Sequence, residues 1–173
     1  MPYALDASHS AVTFAVRHMM ISKVRGSFSG FAVDASFDPA ALEKGSVTGT
    51  IDIATIATGD AGRDGHLKGD DFFAVEKFPQ MVFKSTGAKK LSDGRYSLEG
   101  TLTIKGVTRP INFDVEAEGP AKDPWGNSRV GFTLKGKLNR EDFGLTWNQA
   151  LEAGGVLVAK EIELGAEIQL LQK

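Results

Sequence analysis

The stretch that decides the fold is YSLEGTLTIKGVTRPINFDVEAE, residues 96–118. In its first half Tyr96, Leu98, Leu102 and Ile104 alternate with Ser97, Glu99, Thr101, Thr103 and Lys105. In its second half Ile111, Phe113, Val115 and Ala117 alternate with Asn112, Asp114, Glu116 and Glu118. Successive side chains of an extended strand point to opposite faces, so this period of two gives a sheet with one apolar and one polar side. A helix would scatter the same residues around its whole circumference. Residues 106–110, Gly to Pro, read as the turn between the two strands.

The alternation continues in both directions. In AVTFAVRH (11–18) Val12, Phe14, Val16 and His18 share a face, and in SRVGFTLKGKL (128–138) Val130, Phe132, Leu134 and Leu138 do. VRGSFSGFAVDASF (24–37), SVTGTIDIATI (46–56), MVFKSTGAKKL (81–91) and LVAKEIELGAEIQLL (157–171) bring the strand candidates to eight. Asp93-Gly94 is a hairpin signal, and 123–127 and Gly154-Gly155 mark further turns. Three segments read as short helices: 39–45, with Asp38 as N-cap and Pro39 at the first helical position, and parts of 62–75 and 140–154.

Each strand has one apolar face, and no long amphipathic helix is available to cover it. The sheet must therefore close on itself or pair with a second sheet. The expectation is a single all-β domain over 1–173, an extended eight-stranded antiparallel barrel with short helical segments, and a sandwich is the alternative. Periodicity does not distinguish a filled interior from a hollow one.

With 173 residues, 42% of them hydrophobic and 24% charged, the chain has the composition of a globular domain. A net charge of −2 with scattered Lys and Arg gives no footprint for nucleic acid, and no apolar run is long enough to span a membrane. Without cysteine there is no disulfide, thiolate metal site or thiol nucleophile. The N-terminus lacks the pattern of an export signal, so a cytoplasmic location is expected.

Specific enzyme chemistry is not written into this chain. His9, His18 and His66 fall in three separate segments without the spacing of a zinc motif. GSFSG (26–30) has Phe28 where a nucleophile elbow needs its serine. Gly59, Gly62 and Gly65 are not spaced as a dinucleotide-binding loop. His18 reads either as a hydrogen-bonded interior group or as a polar contact for a ligand head.

The chain resembles the YceI-like family of lipocalin-like, polyisoprenoid-binding proteins. The resemblance rests on LDASHSAVTFAVRH (5–18), VRGSFSGF (24–31), TGDAGRDGHLKGDDFFAVEKFPQMVFKST (58–86), LEGTLTIKGVTRPINFDV (98–115) and NREDFGLTWN (139–148). Tyr3 stands where Trp is usual, Gly65 where Ala is, and Ala74 where Asp often follows the double Phe. The resemblance implies a lipocalin-like barrel with a long apolar tunnel for an isoprenoid chain such as a prenylated quinone or polyprenyl phosphate. It implies no catalytic residue, no metal and no other cofactor, and frequent assembly as a homodimer. Fatty acyl chains or amides are alternative ligands, and an enzyme using His66 with a carboxylate is a third reading.

On that reading Val12, Phe14, Val16, Phe83, Leu98, Leu102, Phe113 and Phe132 line the tunnel. Residues 60–78 form a lid, with Phe72, Phe73 and Phe78 turned inward. Arg63, Asp64 and His66 then either brace the lid or meet the head of the lipid, and Trp147 lies at the wall or serves as a core anchor.

Overall fold

The computed structural model describes residues 2–19, 21–146 and 158–172. Its strands are β1 (Pro2–Leu5), β2 (Ala11–His18), β3 (Ser22–Phe28), β4 (Phe31–Ser36), β5 (Ser46–Asp52), β6 (Ile56–Ala57), β7 (Gln80–Ser92), β8 (Arg95–Ile104), β9 (Val107–Lys122), β10 (Ser128–Asn139) and β11 (Val158–Gln172). The helix α1 (Ala61–Lys68) joins β6 to β7.

The eleven segments make eight staves. β1 and β2 run against the same strand, β11, with Leu5 opposite Leu170 and Ala11 opposite Glu167. A 3-10 turn, Ala7–His9, breaks this stave where the Asp6 carboxylate accepts the Ser8 N–H. β3 and β4 form the next stave, bent at Ser29-Gly30, and β5 and β6 the third, broken by the 3-10 turn Ile53–Thr55. Every neighbouring pair is antiparallel, and the β1–β11 pairing closes the ring. The result is the closed eight-stranded barrel, not the sandwich.

Three local expectations need correction. β9 starts at Val107, so the turn is only Lys105-Gly106, both with positive φ as a two-residue hairpin turn requires. Pro110 lies inside the strand, opposite Thr101 and before the β9–β10 ladder begins at Asp114; with one flank unpaired, its missing N–H costs no ladder bond there. Asp38 does accept the Ala40 N–H at 2.9 Å, but this closes a turn; the helical piece comes later, as a 3-10 turn at Leu42–Lys44. Strand β1 was not anticipated. Gly154-Gly155 lies outside the described residues.

The inner faces pack into two clusters. One holds Phe28, Ile53, Ile56, Phe72, Met81, Ile104, Ile111, Phe143 and Leu145 around the end crossed by α1. The other, at the opposite end, gathers Tyr3, Ala35, Phe37, Val130 and Leu170, with Tyr3 stacked on Phe37 at 4.0 Å.

Candidate functional site

Between the two clusters lies an apolar cavity of about 200 Å³. Six of the eight expected wall residues line it: Val12, Phe83, Leu98, Leu102, Phe113 and Phe132. It extends along β7 from Met81 to Ala88, a run of roughly 20 Å at the strand rise of about 3.3 Å per residue. Among the described lining residues only Ser46 and Tyr96 carry a polar side chain, and none is charged.

Two rings that border the hollow, Phe83 and Phe113, lie against the wall instead of crossing the lumen, and Phe14 does the same beyond the cavity. A Cβ at Gly136 would sit 2.7 Å from Phe113 Cδ1, one at Gly100 2.5 Å from Phe83 Cζ, and one at Gly26 2.4 Å from Phe14 Cζ. Each ring occupies the space that a neighbouring strand leaves free by having no side chain, an arrangement that shields a strand glycine with an aromatic. Phe83 and Phe113 then meet edge to face at 5.3 Å. At Gly49, by contrast, an added Cβ would meet nothing within 4 Å, because that position faces the void.

The remaining expected residues fall elsewhere. Phe14 packs on Phe28 at 5.5 Å, and Val16 is half-buried between Val24 and Ile162, beyond the cavity. His18 ends β2 opposite Ser22 and Val158. Trp147 lies outside the described residues.

Phe72 is 7% exposed and belongs to the core cluster at the α1 end, with half-buried Phe73 packed against it. They seal that end without touching the cavity. Phe78 lies beside Gly106, where an added Cβ would come 3.0 Å from its ring.

The cluster expected of Arg63, Asp64 and His66 divides in two. Asp60 caps α1 by accepting the Arg63 N–H, and that bond, with a second from the Gly62 backbone, lowers the Asp60 pKa. Arg63 donates through Nε to Thr58 Oγ1 at 2.8 Å and through its terminal nitrogen to Thr58 O at 2.7 Å. Asp64 accepts from the Thr58 N–H at 2.9 Å and its hydroxyl at 2.5 Å. Both side chains thus clasp the chain leading into the helix. His66 instead pairs with Asp71 at 2.8 Å and packs T-shaped on Phe72, with ring centroids 5.1 Å apart.

Arg140, 2% exposed, braces the same end. It donates to the carbonyls of Leu145 at 2.6 Å, Ala159 at 2.9 Å and Val158 at 3.2 Å, and burial lowers its pKa.

The opposite end carries a denser polar cluster. Arg129 reaches Asp6 at 2.5 Å, Asp123 at 2.8 Å and Gln169 at 2.9 Å, tying the first turn to the β9–β10 hairpin and β11. Hydrogen bonds from Ser8, Arg129 and His9 hold the Asp6 carboxyl well below the usual range. For Asp123 partial desolvation works upward, but bonds from Arg129 and Asn127 outweigh it and bring the pKa down to about 2. His9 meets Asp6 through Nδ1 at 2.8 Å and Ser8 Oγ bonds the same carboxylate at 2.7 Å, so this Ser-His-Asp group lacks the relay geometry of a nucleophile and its base. Among the described residues no three of His, Asp and Glu come together as a metal set.

Sequence reasoning named only a minority of the wall. Phe31, Val33, Val47 and Ile51 on β4 and β5, and Leu164 and Ile168 on β11, also line the cavity. Their signal was the same alternation, visible in FAVDASF, SVTGTIDI and EIELGAEIQL.

The model of the YceI-like domain matches residues 3–170. A UPF0312 protein of Staphylococcus aureus (strain MSSA476) is 38% identical over 168 residues, 96% of this chain and 95% of that one. BcnA of Burkholderia cenocepacia superposes with a TM-score of 0.84 at 24% identity, covering 95% of this chain and 98% of its own. A polyisoprenoid binding domain from Saccharophagus degradans superposes with a TM-score of 0.70 at 14% identity, covering 99% and 98%. With the family model spanning nearly all of it and a relative of this identity along almost its full length, the chain belongs to the YceI-like domain family.

Proposed function

We propose that the barrel binds the tail of an isoprenoid lipid in its central cavity and carries or stores it without converting it. The observation that carries this reading is the cavity itself: about 200 Å³ of space between two solid apolar ends, with no charged side chain among its described lining residues. Such a wall takes hydrocarbon and offers almost nothing to a polar group. Its volume exceeds the roughly 150 Å³ of an engineered cavity that stays dry and takes up benzene. It also lies below the roughly 300–1,000 Å³ of pockets that swallow a whole drug-sized ligand, which suits a thin tail better than a whole amphiphile. Family membership, and a fold shared with a polyisoprenoid binding domain, support the choice of lipid.

Burying apolar groups gains about 0.8 kcal/mol per CH₂, hence on the order of 4 kcal/mol gross per five-carbon unit. Association and ordering cost roughly 4–15 kcal/mol, so one unit does not suffice and several do. The test is to extract the purified protein and identify bound lipid by mass spectrometry. The emptied barrel is then titrated with geraniol, farnesol and geranylgeraniol. Affinity is expected to rise at least about tenfold per added unit until the cavity is full. Preference for oleate over farnesol would move the reading to acyl chains, and uptake of neither would overturn it.

A further inference from the structure

The cavity has a flank where the wall is not hydrogen-bonded. The β5–β7 ladder ends at Thr48 opposite Lys84, followed only by the Val47 N–H donating to Ser85 Oγ at 2.9 Å. After a bulge between Ser85 and Gly87, β7 runs on to Ser92 paired with β8 alone. The 3-10 turn Leu42–Lys44, which has no side-chain cap, packs against β7 across this gap. Leu42, Gly45 and exposed Ser46 line the cavity on one side of it, Ala88 and Tyr96 on the other.

Lys90 stands at the rim. It is opposite Tyr96 in the β7–β8 ladder, and directly opposed residues share a face, so its side chain leaves the sheet on the side that looks into the barrel. Its Nζ is 3.6 Å from Asp93, a residue fully in solvent at the hairpin tip. The adjacent Lys89 leaves on the outer face and meets Glu99 at 3.3 Å.

We propose that the gap between β5 and β7 is the entry for lipid, and that Lys90 holds the phosphate of a prenyl phosphate whose tail fills the cavity. The proposal rests on the tail-binding reading above and adds the head to it. A phosphate cannot enter a lumen whose described wall carries no charge, because burying an unpaired anion is prohibitively costly. A tail threaded through the gap leaves its head at the rim, where the only cation on the inner face of the β7–β8 hairpin is Lys90. Lysine binds phosphate as a point charge with rotatable donors, and the hydroxyls of Ser46 and Tyr96 flank the same opening.

An inward-pointing lysine on an unpaired strand edge also deters edge-to-edge association, so the test must separate the two roles. Wild type, Lys90→Gln and Lys89→Gln are titrated with farnesyl phosphate and with farnesol, which share a tail and differ in head, at low and high salt. Size-exclusion chromatography follows their oligomeric state. Lys90→Gln is expected to lose about tenfold in affinity for farnesyl phosphate, an effect that shrinks at high salt, and to bind farnesol as wild type does. Lys89→Gln should change neither. Farnesol binding with no Lys90-dependent preference for the phosphate overturns this proposal alone. So does a Lys90→Gln protein that self-associates yet holds farnesyl phosphate as tightly as wild type. Binding of neither lipid by wild type sinks the tail-binding reading, and this proposal with it.

Discussion

Alanine at Gly136 is expected to narrow the lumen and weaken both the fold and its hold on lipid. The added Cβ would lie 2.7 and 2.8 Å from Phe113 Cδ1 and Cε1 and 3.2 Å from the Asn112 carbonyl. Carbon atoms prefer roughly 3.5–4.0 Å, so the ring has to move by about 1 Å. Phe83 packs against it at nearly a right angle, so the easy direction is off the wall and into the void. Overpacking of this kind costs about 1–3 kcal/mol, partly offset by the roughly 0.5–1 kcal/mol that alanine gains over glycine within a strand. The net is a loss of up to about 2.5 kcal/mol by these figures. Gly49→Ala is the control: its methyl enters the cavity, in open space, so stability should hold or rise by up to about 1 kcal/mol. Urea unfolding of the two variants, together with farnesol titration, reads out both effects. Equal stabilities for the two variants, or a Gly136→Ala protein that binds farnesol as wild type does, would refute the idea that glycine-shielding rings keep the barrel hollow.

Other perturbations follow from the two ends. Asp6 and Asp123 have pKa values below the unfolded value near 4, so their contribution is complete above about pH 4 and is lost as pH falls toward 2. Thermal melts should show a Tm that declines across that window, and Arg129→Met should lower the Tm at neutral pH and flatten the decline; an unchanged slope would argue against the network. Phe72→Ala should cost about 3–4 kcal/mol because the ring is in the core, and should speed lipid loss in a stopped-flow exchange assay. Phe73→Ala, at a half-buried position, should cost less than half of that. Arg140→Met leaves three carbonyls without their cationic donor and should destabilise by about 2–4 kcal/mol in denaturant. Arg140→Lys should rescue little, since an ammonium lacks the planar fork that serves several acceptors at once.

What could be read from residues alone was whatever depends on period and local turn chemistry. The alternation in 96–118 fixes β8 and β9, and Asp93-Gly94 fixes the hairpin before them, because those constraints act between neighbours in the chain. Pro110 misled for the same reason: locally it signals a turn, and only the absence of a β10 partner at that level makes it acceptable in the strand. Arg63 and Asp64 were legible as polar residues near a helix start. That both would close on Thr58 depends on where the preceding chain runs.

The sequence by itself determined that this chain buries one face of eight strands, and its motifs placed it in a family. Which inward-facing residues border a void, and which meet another side chain, was decided by tertiary structure. Val12 and Val16 share one face of one strand, yet only Val12 reaches the cavity. The difference arises because the curvature and stagger of a closed barrel bring far-separated glycines and aromatics to the same level of the wall. No periodicity within a single strand encodes that relation.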